Sequence, residues 1–499
     1  MTLLRTQRLT GRVYRPGDEG FDERCRALHP AVSHRPVAVV EATGVADVRA
    51  AVDAAAAGEL PIAVQATGHG THLGLDGGIL LRTGGMAGVS VDPYRRTARV
   101  GPGTRWGQVL AAAARYGLAP LSGSSATVGV TGYTLGGGMG WLGRRYGLAA
   151  DSVLRAELVL ADGRSVTADA DRHPELFWAL RGGGGNFGLV TSLEFRLYPV
   201  SSVYAGFAYF PAAGAAGFLA RYRDWAADAP DAMSTAVVLC TMPDTDDVAP
   251  ALRGRRVVLL KAVYAGEADS ARRLLGPLYA AAGPVLHDEM RTVAYPEVRM
   301  GGTPARYHDF LRDLSDPAVE VLAGLRSTVE VRHWGGAIAA PGADPGPAGQ
   351  RAAPFSVIVA EEVPGLAEAL RPWTVGGAFL NFLGDTRRTA TAYSAADHRR
   401  LRLVKAAYDP GNLFRAGTTS RRRRRRRVGP GRPPTGCRGS ARRPTVARPG
   451  DAAGRDGGQH GPGRRPDPRR LGPRPHTYPK NRSLLIYTAV DVILEALPS

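Results

Sequence analysis

A histidine sits between two glycines, Gly68-His69-Gly70, at the end of the apolar run Pro61-Ile62-Ala63-Val64. A second glycine-rich stretch follows, Thr127-Val128-Gly129-Val130-Thr131-Gly132-Tyr133-Thr134-Leu135-Gly136-Gly137-Gly138-Met139-Gly140. A third is Arg181-Gly182-Gly183-Gly184-Gly185-Asn186-Phe187-Gly188-Leu189-Val190-Thr191. Glycine has no Cβ and tolerates positive φ, so backbone built from it can approach a ligand closely. Any one such run is equally a plain tight loop, and His69 alone reads as an ordinary turn histidine. Three runs together point to a large ligand with phosphates, which His69 is placed to bond.

The third run contains a formal GxGxxG at Gly183, Gly185 and Gly188. A dinucleotide fingerprint needs a strand before it and a helix after it. Here the helical stripe Leu176, Phe177, Leu180 precedes and the alternating run Leu189 to Leu197 follows, which excludes a nicotinamide site of that kind. His69 and His72 could share a metal, but only Asp76 offers a further ligand nearby, so no metal is expected. His72 and His333 read as structural. Three cysteines, Cys25, Cys240 and Cys437, show neither metal spacing nor a disulfide framework. A reducing, cytoplasmic setting is the expectation.

The elements that must position these residues alternate over 35–200. Pro36 to Val40 reads as a strand. Val45, Val48 and Val52 recur at helical spacing, with Thr43 as N-cap. Ile62 to Val64 is the next strand. Thr104 is the expected cap of a helix with the face Trp106, Val109, Leu110 and Ala113. Val153 to Leu160 reads as a buried strand turning at Asp162-Gly163 into Ser165 to Thr167. Beyond 200 the pattern becomes that of a second α+β domain. Its strands are Ala205 to Phe210, Ala236 to Cys240, Arg256 to Val263, Thr328 to Arg332 and Phe355 to Val359. Its helices are Gly214 to Ala227 and Asp269 to Ala282. Residues 340–354, rich in Ala, Gly and Pro, read as a surface loop, and Leu401 to Tyr408 as a helix.

Charge is uneven. The net charge is +19, but 20 of the 64 basic and 5 of the 45 acidic residues lie beyond Arg415. The first 415 residues are nearly balanced, and the surplus is a tail that opens with seven arginines, Arg421 to Arg427. Its Arg/Pro/Gly composition predicts disorder. No run is long and apolar enough for a membrane span, and the N-terminus carries no signal-peptide pattern.

The three glycine runs, in order, carry a resemblance to the berberine-bridge-enzyme-like group of the vanillyl-alcohol oxidase superfamily. So do Arg145-Tyr146-Gly147-Leu148-Ala149-Ala150-Asp151, Leu158-Val159-Leu160-Ala161-Asp162-Gly163-Arg164, Glu175-Leu176-Phe177-Trp178-Ala179-Leu180, Phe379-Leu380-Asn381-Phe382 and Tyr408-Asp409-Pro410-Gly411-Asn412-Leu413-Phe414. The resemblance implies an α+β fold. A two-subdomain PCMH-type FAD-binding domain would occupy 34–200, and a substrate domain with an antiparallel sheet 201–370. A segment at 371–415 would return to the first domain, and 416–499 would be the basic tail. It implies FAD, bound covalently through His69 at the flavin 8α-methyl group. Backbone amides of Thr67, Gly68, His69 and Gly70 would cradle the pyrophosphate. Val128, Gly129, Gly132, Gly137, Gly138, Val190 and Asn412 complete the implied cofactor contacts, and Val128 would line the approach of dioxygen. The implied reaction passes hydride from a substrate C–H (alcohol, sugar or polycyclic natural product) to flavin N5, with reoxidation by dioxygen.

Three departures stand out. Some relatives bond flavin a second time through a cysteine where this chain has Ser125, and a hydroxyl is a far weaker nucleophile than a thiolate. Many relatives have Tyr-x-Asn-Tyr where this chain has Phe379-Leu380-Asn381-Phe382, and phenylalanine accepts no proton. Tyr133 and Asn381 are then the expected catalytic residues, while Phe379 and Phe382 read as the apolar face of a strand. Relatives continue after Asn-Leu-Phe-Arg with a short Asn-containing segment ending in Ile-x-Pro, whereas here Ala416 to Ser420 lead into polyarginine, which reads as a frameshifted translation of GC-rich DNA. Sequencing the locus checks this, an uninterrupted frame being the contrary result. Two other readings are a flavin-free binding protein and a nucleic-acid binder acting through the tail; lacking interleaved aromatics, the latter would be non-specific. No membrane partner is expected, and the residues are silent on oligomeric state.

Overall fold

The computed structural model describes residues 9–29 and 32–415. The tail, with its predicted disorder and frameshift, lies outside them. Three sheets carry the fold. The first joins β1 (Val13–Tyr14), β2 (Ala38–Glu41), β3 (Ile62–Gln65) and β4 (Ile79–Arg82) in the order β1-β2-β4-β3. Its β2, β4 and β3 run parallel, which requires the crossover helix Val45–Ala57. That helix buries Val48, Ala51, Val52 and Ala55.

The second sheet is antiparallel, with β5 (Val89–Asp92), β6 (Thr97–Val100), β7 (Val153–Val159), β8 (Ser165–Ala168) and β9 (Leu189–Arg196) in the order β5-β6-β9-β7-β8. The helix Trp106–Ala114 lays Trp106, Val109, Leu110 and Ala113 inward, the face its spacing predicts. The expected caps are not used. Gly44 stands at the N-cap of Val45–Ala57, while Thr43 turns its N–H and hydroxyl onto Asp47 Oδ2, each at 2.8 Å. Thr104 donates instead to the Gly88 carbonyl (3.0 Å), and the Arg105 N–H meets Gln108 Oε1.

The third sheet holds β10 (Ser202–Pro211), β11 (Met233–Thr241), β12 (Arg256–Tyr264), β13 (His287–Asp288), β14 (Arg291–Ala294), β15 (Tyr307–Leu311), β16 (Val329–His333) and β17 (Phe355–Val359). Its order is β13-β10-β12-β11-β16-β17-β15, with β14 also on β10 and all pairs antiparallel. One face packs Val237, Leu239, Val258, Leu260, Val331 and Val357 against the helices Ala215–Ala227, Ala268–Ala282 and Asp316–Gly324. The opposite face meets the second glycine run. There Phe310 and Trp334 cluster with Met139, Leu148 and Phe379.

Residues 340–354 have no regular structure, as expected, but they are not a loose surface loop. Ala348, Arg351 and Ala353 are buried. Both Arg351 Nη atoms pair with the Asp151 carboxylate, at 2.7 and 2.9 Å. The loop thereby straps down over the Arg-Tyr-Gly-Leu-Ala-Ala-Asp stretch.

After the helix Ala395–Tyr408 the chain is held by one buried ammonium. Lys405 Nζ donates to the Asn186 carbonyl (2.7 Å), Asp409 Oδ2 (2.6 Å) and the Phe414 carbonyl (3.2 Å). Asp409 in turn accepts from the amides of Leu413 and Phe414. The Ile62 amide, which opens β3, donates to the Leu413 carbonyl. Burial lowers the Lys405 pKa, with Asp409 opposing it. Removing one member of such a pair leaves an uncompensated buried charge, a loss of about 3–5 kcal/mol. Lys405→Met is therefore expected to lower the urea midpoint sharply. An unchanged midpoint contradicts the assignment of the C-terminal clasp to this ammonium.

Candidate functional site

The turn after β3 brings the predicted residues together. Gly68 adopts φ +89°, a conformation costly for other residues, which turns His69 outward. His69 is exposed, and its ring stands between two threonines. Nδ1 lies 3.0 Å from Thr67 Oγ1, and Nε2 lies 3.2 Å from Thr127 Oγ1. Thr67 Oγ1 also accepts the Gly129 N–H at 3.2 Å. Thr127 Oγ1 lies 2.9 Å from Ser125 Oγ, which accepts the Thr127 N–H as well. The first and second glycine runs are thus stitched at His69. Partial burial, then the nearby Arg105, lowers the His69 pKa and favours the neutral ring.

Glycine by glycine, the expected cradle divides. Gly70 and Gly132 have open space where a Cβ would stand. The hydroxyl of Thr131, next to Gly132 in the chain, is buried without a hydrogen-bond partner, as are the Thr134 hydroxyl and the Asn412 amide oxygen. Asn412 itself holds a left-handed turn, φ +55°. Open backbone and unsatisfied polar atoms are what a polar ligand would complete, so this part of the site fits FAD. Val128 is half-buried beside the core, its carbonyl accepting the Trp106 N–H.

At the other expected contacts protein side chains stand where a Cβ would point. A Cβ on Gly137 would stand 2.9 Å from the Phe379 ring, and one on Gly138 2.5 Å from Tyr133 and 2.8 Å from Ala149. These glycines make room for protein side chains. The third run does likewise, with Gly182 against Ala348 and Gly183 against the Ala179 carbonyl and Leu401. The Val190 side chain belongs to the core with Trp106 and Val109.

The expected catalytic pair stands among packing and backbone contacts. The Tyr133 ring lies edge-on to Trp106, and its hydroxyl is buried without a partner. Burial pushes its pKa up, against service as a base. Asn381 is a clamp: Oδ1 accepts from the Gly138 N–H (2.9 Å), and Nδ2 donates to the Tyr133 carbonyl (3.0 Å). Phe379-Leu380-Asn381-Phe382 is not a strand, since Leu380–Phe382 form a 3₁₀ turn. Phe379 does pack as an apolar residue, with Trp334 and Phe382.

A polar group the sequence did not mark stands beside Phe382. His308 of β15 is buried, its ring centroid 5.3 Å from that of Phe382, and neither ring nitrogen has a hydrogen-bond partner. Burial, then Arg388, lowers its pKa to about 3, so the ring is neutral. Its neighbour Asp309 accepts from the Phe310 and Gly377 amides, and burial raises its pKa to about 6. Pairing across β15, β17, β16 and β11 aligns His308, Ile358, Glu330 and Val238 on one face, with Ser356, Arg332, Ala236 and Lys261 in the next row. Glu330 is buried between Lys261 (3.5 Å) and Arg332 (3.2 Å) and accepts from the Thr303 hydroxyl. Burial alone would raise the Glu330 carboxyl, but those two cations hold it below its usual range. The Arg332 guanidinium lies over the Trp141 ring at 4.4 Å. His333, expected to be structural, is buried 2.8 Å from Arg144. Among the described residues no cluster of three metal ligands occurs, and no helix is long and apolar enough to cross a membrane.

Residues 36–169 match the family model described as FAD binding domain, and 378–418 the one described as berberine and berberine like. (R)-6-Hydroxynicotine oxidase of Paenarthrobacter nicotinovorans is 38% identical over 202 residues, which span 40% of this chain and 44% of that protein. The crystal structure of 6-hydroxy-D-nicotine oxidase from Arthrobacter nicotinovorans superposes with a TM-score of 0.71 at 27% identity, covering 82% of this chain and 98% of that one. Glucooligosaccharide oxidase from Acremonium strictum, which carries a 6-S-cysteinyl, 8α-N1-histidyl FAD, shares the fold. Its TM-score is 0.66 at 20% identity, over 81% of this chain and 95% of that one. Fold and family together define an FAD-linked oxidoreductase. The matched segments make the chain similar to FAD-linked oxidoreductases and to the family described as berberine and berberine like, and its cofactor is FAD.

Proposed function

We propose that the chain is an FAD-dependent oxidase of a small molecule with an oxidisable C–H next to a hydroxyl or amine. The observation that carries this is His69, exposed in its Gly-His-Gly turn and held at both ring nitrogens beside open backbone. Thr67 to Gly70, Val128, Gly129, Gly132 and Asn412 would hold FAD, with His69 as its single covalent tether. FAD when bound supplies a two-electron acceptor that dioxygen restores, as the oxidase names of the relatives suggest. The residues on the β15–β16 face would bind substrate. His308 is assigned to accept the hydrogen bond of the substrate O–H or N–H, in place of the tyrosines that Phe379 and Phe382 replace.

Acid precipitation tests the cofactor reading. Yellow flavin is expected to pellet with the wild-type protein and to pass to the supernatant in His69→Ala. A colourless wild-type protein contradicts the reading. Peroxide release is then assayed over secondary alcohols, oligosaccharides and 6-hydroxynicotine, and silence from the flavin-loaded protein across these classes counts against an oxidase.

On the substrate that responds, His308→Gln is expected to lower kcat by about a hundredfold or more with flavin absorbance unchanged. The His308 pKa of about 3 keeps the ring neutral across pH 5–8, so protonation of this group adds no acid limb there. A wild-type rate in the variant removes His308 from the chemistry.

A further inference from the structure

We infer that Arg332 binds a carboxylate of the substrate, so that the molecule oxidised is an acid that also carries the reacting hydroxyl or amine. This rests on the reading that the β15–β16 face binds substrate. Val329 and Val331 of β16 face the helices, so Glu330 and Arg332 face the other way, toward the second glycine run. Lys261 of β12 shares that face, since Leu260 and Ala262 beside it face the helices. All three charged side chains are buried, Arg332 to 5% exposure. Their charges do not cancel. Lys261 and Arg332 both pair with Glu330, at 3.5 and 3.2 Å, which leaves one positive charge in excess. Glu330 is engaged at both oxygens, because Oε2 meets Lys261 and the Thr303 hydroxyl (2.7 Å) while Oε1 meets Arg332.

The excess falls on Arg332. A guanidinium has five N–H donors and does not lose its charge in a protein. What the chain gives it is poor. Nε stands 3.2 Å from Glu330 Oε1 yet makes no hydrogen bond. Nη1 meets the Met139 sulfur at 3.3 Å, a weak acceptor. The Trp141 ring covers one face at 4.4 Å. A buried charge is costly unless it is both paired and hydrogen-bonded. A planar carboxylate matches the guanidinium fork with two parallel bonds, and its single negative charge equals the one in excess. A phosphate monoester would bring nearly two. Met139 ends the second glycine run and Trp141 follows it, so the cation stands where the third sheet meets the FAD-binding half. His308 lies in the neighbouring row of the same face, opposite Ile358 and Glu330. Arg332 thus holds the acid end, and His308 takes the end that is oxidised.

Benzoate and benzamide, a charged and a neutral molecule of one shape, test this on the flavin-loaded protein at neutral pH. Binding is read from the shift in flavin absorbance. Benzoate is expected to bind about tenfold or more tightly than benzamide, and phenyl phosphate more weakly than benzoate. Arg332→Met keeps the stem, removes the charge and leaves Lys261 and Glu330 as a neutral pair. It is expected to keep its flavin and to bind benzoate and benzamide alike, while Arg332→Lys retains a preference for benzoate. Wild-type protein that binds benzamide as tightly as benzoate, or binds neither, overturns the inference without recourse to a variant. So does a benzoate preference that survives in Arg332→Met, or phenyl phosphate as the tightest of the three. Peroxide release separates this inference from the reading beneath it. Neutral alcohols oxidised as fast as the matching hydroxy acids overturn the carboxylate site and leave the oxidase. Benzoate selectivity in a flavin-loaded protein that oxidises nothing overturns the oxidase and leaves the carboxylate site.

Discussion

One buried ammonium holds together parts of the chain that are far apart in sequence. Lys405 reaches the third glycine run through Asn186 and closes the Asp409-to-Phe414 turn on itself. That turn lends its Leu413 carbonyl to the first residue of β3. The strand that delivers His69 is thus secured by residues more than 340 positions later in the chain. A desolvated charge tolerates little displacement, because each lost partner leaves it costlier. The turn beyond β3 inherits that rigidity.

The glycine runs serve close packing of protein on protein as well as open backbone. Gly70 and Gly132 face open space, whereas Gly137, Gly138, Gly182 and Gly183 face protein. The reason is topological. The third sheet and the 340–354 strap must approach the FAD-binding half closely, and glycine allows one backbone to near another side chain as readily as a ligand. From sequence both uses look alike, because several of the partners that need the space, such as Phe379 beside Gly137 and Ala348 beside Gly182, lie far along the chain.

Local signals were read well wherever one element decides its own structure. The Asp162-Gly163 hairpin, the Trp106 helix face and the long strands of the third sheet all follow from short-range pattern. The helix caps failed because Gly44 took the N-cap while Thr43 bonded to the Asp47 side chain, and because Thr104 found the Gly88 carbonyl outside its helix. His308 stayed hidden for a related reason. Its strand, Tyr307–Leu311, reads weakly by itself, and its character comes from what surrounds it on neighbouring strands. The neutrality of His308 and the burial of the Tyr133 hydroxyl are likewise properties of packing, which no spacing encodes.

The grip on His69 comes from the protein's own side chains. Two threonines hold the ring in a turn fixed by Gly68, with the imidazole still facing solvent. The side-chain entropy of that histidine is spent during folding rather than on binding, which is the thermodynamic meaning of a preorganised site.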